Sequence, residues 1–276
     1  MTAPQVSGVP QVVRLGAVNY LNARPLVFGL DQSPRFALRF DVPSECARLL
    51  HAGSVDVGLI PSVEYLHGDD YRIVPDLAIV SRGEVASVAL FTKRPIRDVQ
   101  SIAMDTSSRT SVALVRILCA RKFRIQPTIQ SLDPDLDVML RRADAALVIG
   151  DNALLWRQLP APSPQPPIEK IDLGTAWTSM TGLPFVWAFW AGRQDVLTSD
   201  DVRTLVAARD AGVRQTEAIA RAYFPEGPAR QALGARYLRD NIKYYLRDEE
   251  QAGLEAFYRY ALEAGAAPAA RELRFY

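Results

Sequence analysis

Four short apolar runs, residues 12–18, 55–60, 102–104 and 145–149, each break off at polar or turn-forming residues that open the next segment. A brief apolar run bounded in this way reads as a buried strand. Helix signals fill the intervals, so strand and helix alternate. That alternation confines the chain to an α/β class, with largely parallel sheets and crossover helices packed on their faces. In such sheets ligands bind outside the carboxyl ends of the strands, so the residues at those ends matter most for function.

The first run ends in NYLNARPLVFG, residues 19–29. Asn19, Tyr20 and Asn22 offer neutral donors and acceptors there, and Arg24-Pro25 starts a short helix around residues 25–30. Asn and Pro also favour an ordinary strand-to-helix turn, and spacing leaves both readings open. Residues 36–42 alternate as a half-exposed strand; Pro43 and Ser44 then start a helix, with Ser44 as a cap, and Gly53 stops it. The run 55–60 delivers Ser62 to the same edge as Asn22. Residues 71–93 favour strand, with a turn at Arg82-Gly83-Glu84 and a strand over 85–92 that contains Ser87. A serine there is either a core hydroxyl bonded to backbone or a site residue.

A second unit begins near Pro95. Strand 102–104 leads into DTSSRTS, and a strongly apolar helix follows over 112–123. Thr106, Ser107, Ser108, Thr110 and Ser111 crowd this junction around Arg109. Their hydroxyls and the helix N-terminus favour a carboxylate ligand, although simple capping needs only one of them. Without glycine the loop is no nucleotide-phosphate fingerprint. Residues 129–132 read as a strand and 133–142 as a helix. After strand 145–149, Gly150 permits close backbone approach, and Asp151 caps the next helix before it suggests catalysis. The prolines of 160–167 mark a surface loop. Thr175, Thr178, Ser179 and Thr181 return hydroxyls ahead of an aromatic strand over 184–192, where Trp187 and Trp190 are read as core. From Ser199 onward the pattern is helical. Residues 1–94 and 186–276 are thus expected to form one lobe, with the tail helices packed on it and residues 95–185 inserted as a second lobe across a cleft.

Other classes recede. At 276 residues and a net charge of +1, two lobes are the prior and there is no general attraction for nucleic acid or acidic membranes. Cys46 and Cys119 suggest no disulfide framework; His51 and His67 belong to no ligand-spaced cluster, so no metal is expected. The start of the chain lacks secretory-leader features and no apolar run nears the ~20 residues that span a bilayer. A cytoplasmic protein is expected.

Taken together, RLGAVNYLNARPL (14–26), DVGLIPSVEY (56–65), the Ser87 strand, SSRTSVALVRIL (107–118), LVIGDNAL (147–154) and DLGTAWTSMTGLPFVWAFW (172–190) resemble the chorismate dehydratases of the futalosine route to menaquinone. The resemblance implies a two-lobed type II periplasmic-binding-protein-like fold with a central cleft. It implies a cofactor-free lyase that removes water from chorismate to give 3-[(1-carboxyvinyl)oxy]benzoate, with Asn22 and Ser87 at the reacting centre. Tyr20, Ser62, Ser107, Ser108, Arg109, Thr110, Ser111, Gly150, Asp151 and Thr181 are the candidate substrate-binding residues. A related 1,4-dihydroxy-6-naphthoate synthase would begin with a Pro-Asn-Asp pattern where Tyr20-Leu21-Asn22 stands. The alternative from another class is a non-catalytic small-anion binding protein of the same fold.

Overall fold

Strand pairing sorts the chain into two five-stranded sheets in the computed structural model, which describes residues 12–68, 70–156, 168–269 and 271–276. The start of the chain (residues 1–11) and the loop expected over 160–167 lie outside the described residues. β1 (Val13–Val18), β2 (Phe36–Asp41), β3 (Val57–Pro61), β4 (Tyr71–Ser81) and β10 (Phe185–Arg193) form the first sheet, ordered β2-β1-β3-β10-β4. β5 (Val88–Thr92), β6 (Ser101–Met104), β7 (Thr128–Ser131), β8 (Ala145–Ile149) and β9 (Glu169–Asp172) form the second, ordered β7-β6-β8-β5-β9. In each sheet three strands are parallel, as the alternation dictates: β1 with β2 and β3, β6 with β7 and β8. One strand in each runs against its neighbours, β10 in the first and β5 in the second.

Those antiparallel strands mark the two crossings of the chain. β5, expected in the first unit, pairs with β8 and β9 of the second sheet. Its apolar sequence fits either sheet, and pairing decides. Ser87 accordingly lies just before β5, on the crossing itself, rather than inside a strand.

Helices α1 (Pro43–His51), α2 (Arg109–Leu118), α3 (Leu136–Arg142), α4 (Gly150–Leu154) and α5 (Leu173–Thr181) follow strands, and α6 (Ser199–Gly212), α7 (Thr216–Tyr223), α8 (Pro228–Arg236) and α9 (Asp248–Glu263) make the tail. Four helix starts differ from expectation, among them α3, which begins at Leu136 behind the Asp135 cap instead of at 133. A 3-10 helix over Leu21–Val27 replaces the one expected around 25–30. α1 takes Pro43 at its first turn with Val42 as cap, because proline's fixed φ suits that position and leaves Ser44 inside the helix. α2 begins at Arg109, capped by Ser108, and a π-helical turn over Cys119–Phe123 extends it.

The tail does not rest on the first sheet alone. Along α9, Phe257 meets Phe185 of β10, while Phe257 and Tyr260 meet Trp177 of α5 edge-on. Arg121, beyond α2, covers the Tyr260 ring and pairs with Glu263. Such aromatic contacts add to plain area burial, so α9 braces both units.

α6 is anchored at its start. Arg35, ahead of β2, grips Asp201 through Nε at 2.8 Å and Nη2 at 2.7 Å, and Asp201 and Thr198 complete a capping box. Arg35, with further hydrogen bonds to Thr198, holds the nearly buried Asp201 carboxyl down from 3.8 to about 2. A carboxylate depressed in the fold contributes stability above its unfolded value and loses it as pH falls. Asp201→Asn is therefore expected to lower unfolding free energy by about 2 kcal/mol at neutral pH. That difference from the parent should shrink as pH falls from 3.8 through about 2, measured by urea unfolding across the acid range.

Candidate active site

The carboxyl end of β1, the crossing at Ser87, the cap of α2 and the start of α4 converge on one cavity between the sheets. Its wall is apolar at Val18, Ile79, Val85, Val88, Ile149 and Trp187, and polar at Tyr20, Asn22, Ser87, Ser108 and Ser111. No Asp, Glu, His, Lys or Arg is among the described residues that line it. Its volume is about 40 Å³, room for a few waters. Larger depressions lie elsewhere, one of about 470 Å³ beside the start of α6 and one of about 580 Å³ along Ala86, Lys170 and Tyr237.

Ser87 is held by its neighbours. Ala86 adopts φ +63°, a left-handed conformation that costs a residue with a Cβ about 1–3 kcal/mol. The Asp172 carboxylate secures it by accepting the N–H groups of Val85 (3.1 Å) and Ala86 (2.7 Å), and the Lys170 ammonium donates to the Ala86 carbonyl at 2.6 Å. The Ser87 hydroxyl then meets Tyr237, whose O–H donates to Oγ at 2.7 Å. Asn22 lines the same cavity, its Oδ1 buried without a partner among the described residues.

The serine-rich junction divides its labour. Ser108 caps α2, its Oγ accepting from the N–H (3.4 Å) and hydroxyl (3.0 Å) of Ser111, and both serines line the cavity. Ser107 donates through N–H and Oγ to Asp105, at 2.9 and 2.6 Å, and lies 3.5 Å from the Tyr20 hydroxyl. Burial raises the Asp105 carboxyl above its ordinary range against those bonds. Thr110 and Arg109 do not line the cavity. Thr110 Oγ1 accepts the Val63 N–H at 3.1 Å and sits 3.4 Å from Ser62 Oγ, which itself donates to the Val186 carbonyl. Arg109 reaches away to Glu64 at 3.0 Å. Burial pushes the Glu64 carboxyl up, but His51 and Arg109 outweigh it and leave it below its ordinary value. Helical phase explains the split: 108 and 111 share a face that 109 and 110 leave.

Gly150 lines the cavity at φ +62°, and a Cβ there would meet the Tyr20 ring at 2.9 Å, so only glycine admits this contact. Asp151 lies outside the lining. It accepts from the Tyr223 hydroxyl, which also reaches the Asn19 carbonyl at 3.0 Å, tying the second sheet's edge to the first lobe. Burial raises its carboxyl despite this bond. Ser62 and Thr181 are likewise outside the lining; Thr181 Oγ1 donates to the Trp177 carbonyl and accepts the Leu183 N–H, closing the end of α5. Trp187, expected in the core, is nearly buried yet forms part of the wall, its Nε1–H donating to Ser81 Oγ. No group of three or more His, Cys, Asp or Glu suited to a metal ion occurs among the described residues.

Sequence reasoning missed Tyr237, Tyr223, Asp172 and Lys170. The tyrosines come from tail helices far along the chain, where nothing local marks them. The Asp172–Lys170 pair brackets a strand, and its alternate spacing was a weak signal for two side chains on one face.

A family described as menaquinone biosynthesis matches residues 13–263. Chorismate dehydratase from Thermus thermophilus is 32% identical over 255 residues, covering 88% of this chain and 93% of that protein. Among solved structures, the alkanesulfonate-binding protein from Xanthomonas axonopodis pv. citri superposes with a TM-score of 0.69 at 15% identity, covering 95% of this chain and 96% of that one. The periplasmic aliphatic sulphonate binding protein from Escherichia coli does so with a TM-score of 0.65 at 16% identity, covering 94% of each. At such identities the structures establish the fold, two-lobed and periplasmic-binding-protein-like.

Asp151 is the latch most open to test. Asp151→Ala removes its hydrogen bond with Tyr223 and leaves that hydroxyl only the Asn19 carbonyl, a loss of about 1 kcal/mol from the contact between the two units. The variant should stay folded, with a larger radius of gyration in X-ray scattering and faster amide exchange in residues 107–111. Unchanged exchange there would show that Asp151 does not hold the lobes together.

Proposed function

This chain belongs to the menaquinone-biosynthesis family, and from that premise we propose that it is a lyase dehydrating chorismate to 3-[(1-carboxyvinyl)oxy]benzoate. The ring carbon bearing the ether oxygen loses its proton, and that electron pair completes the aromatic ring. The C–O bond of the neighbouring carbon breaks, and its hydroxyl departs with the proton as water. The conversion is redox-neutral and the reading needs no cofactor. A biosynthetic enzyme of this kind is placed in the cytoplasm.

The observation that carries the reading is the chemistry of the cavity wall. Asn22 and Ser87 face it as neutral groups, and no side chain there is a base at neutral pH. A substrate carboxylate is the proton acceptor that remains, close to the proton it removes once the ring is oriented. Ser108, Ser111 and the N-terminus of α2 receive the other carboxylate without an arginine. Gly150 and Tyr20 close over the ring.

Incubation of the purified protein with chorismate tests this directly, with the benzoate product followed by its absorbance. Binding without turnover favours the anion-binding alternative, and turnover of cyclic futalosine instead of chorismate favours the naphthoate synthase. Within the reading, Asn22→Ala should retain fold and much of the binding but lose kcat about a hundredfold, the worth of one hydrogen bond to developing charge, about 3 kcal/mol. Asn22→Asp should fail as well, because a carboxylate repels a dianion. Faster turnover by Asn22→Asp would show instead that a protein base helps.

A further inference from the structure

Three polar side chains from distant parts of the chain, the buried Ser87 and Tyr237 and the half-buried Asn22, meet at the cavity wall, and only Asn22 and Ser87 face it. Asn22 comes from the 3-10 helix after β1, Ser87 from the crossing, and Tyr237 from a π-helical turn over Tyr237–Asn241 that widens the end of α8. Such turns recur where a helix must aim a side chain for function. This one is fastened to the crossing at several points. Tyr237 donates to Ser87, Asn241 Nδ2 donates to the Glu84 carbonyl at 3.0 Å, and Lys243 and Val80 exchange backbone hydrogen bonds at 2.8 and 2.9 Å.

The hydrogen-bond directions at this junction are constrained. Tyr237 is 2% exposed, and its burial raises the phenol far above neutral pH, so it remains protonated and donates. Its donation occupies the acceptor side of Ser87 Oγ, and the Ser87 O–H is left without another partner among the described residues. On the same wall Asn22 Oδ1 is buried and unmatched among the described residues. An unmatched buried acceptor is unfavourable unless a ligand donor completes it.

We propose that Tyr237 is a positioning residue that fixes the polarity of the wall, turning the Ser87 O–H into the cleft beside the unmatched Asn22 Oδ1 so that the two make a donor–acceptor pair for a ligand hydroxyl. The inference rests on the dehydratase reading, in which that hydroxyl is the leaving group. Asn22 Oδ1 accepts its proton side in the bound substrate, and the Ser87 O–H donates to its oxygen as negative charge develops on it. Tyr237 touches no reacting atom and loses no proton. Its contribution lies in where the two hydrogen bonds point, so it acts on substrate that bears the hydroxyl and not on product, which lacks it.

The test is steady-state turnover of chorismate by the full chain, with product affinity measured alongside. Tyr237→Phe should lose kcat about thirtyfold with KM changed less than about threefold, and should bind 3-[(1-carboxyvinyl)oxy]benzoate as the parent does. In the Ser87→Ala background the same change should have an effect of less than about twofold, since coupled positions are not additive. If Tyr237→Phe fails to fold, Tyr237→Met replaces it, lacking the hydroxyl and adapting to the space, with the same expectations. Parental kcat, an equal loss with and without Ser87, or a matching fall in product affinity each overturns the proposal while the dehydratase reading stands. A parent protein that does not turn over chorismate overturns both.

Discussion

Polar groups buried between two lobes must find partners across the seam, since an unpaired buried donor or acceptor costs roughly 1–3 kcal/mol. Here the partners are specific. The Ser44 N–H donates to the Ser107 carbonyl, the Val63 N–H to Thr110 Oγ1, Arg109 meets Glu64, and Asp151 takes the Tyr223 hydroxyl. Water competes for each such group, so a typical bond of this kind nets only about 1 kcal/mol. The seam is therefore specific beside the cavity, while the aromatic packing of α9 on both units adds apolar area along the tail.

What moves is constrained by how the crossing is tied. Gly83 N–H donates to Thr178 Oγ1, Val85 and Ala86 donate to Asp172, and Gly174 packs so near the Gly83 carbonyl that a Cβ there would lie at 2.4 Å. The tail reaches the same segment through Asn241 and Lys243. Ser87 therefore sits on a segment tied at several points and hydrogen-bonded to Tyr237. The α2 cap and Gly150 complete the wall from the second sheet's side.

How much of this the sequence disclosed depended on where each residue's constraint originates. Asn22, Gly150, Ser108 and Ser111 were legible because strand ends and helix caps carry local signatures. Arg109, Thr110 and Thr181 stood beside those signatures and were swept in with them, although helical phase and backbone capping turn them elsewhere. The two-sheet alternation was legible from apolar runs, but the assignment of β5 was not, because an apolar strand fits either sheet until its partners are known. Tyr237 and Tyr223 were invisible for a deeper reason. Their significance arises only when tail helices dock on a 3-10 helix some two hundred positions earlier.

The neutrality of the wall is itself selected by burial. Two acids stand close by, Asp105 and Asp151, and burial raises both. Either one, turned into the cleft, would face a poor choice: protonated, it removes no proton; ionised, it repels a doubly charged ligand in a medium of low dielectric. Each is instead occupied, Asp105 by Ser107 and Asp151 by Tyr223. The N-terminus of α2 at this wall offers a partial positive charge that needs no counter-ion. Such a wall suits a reaction whose driving force, the formation of an aromatic ring, is carried by the substrate, so that the protein's part is chiefly to orient it.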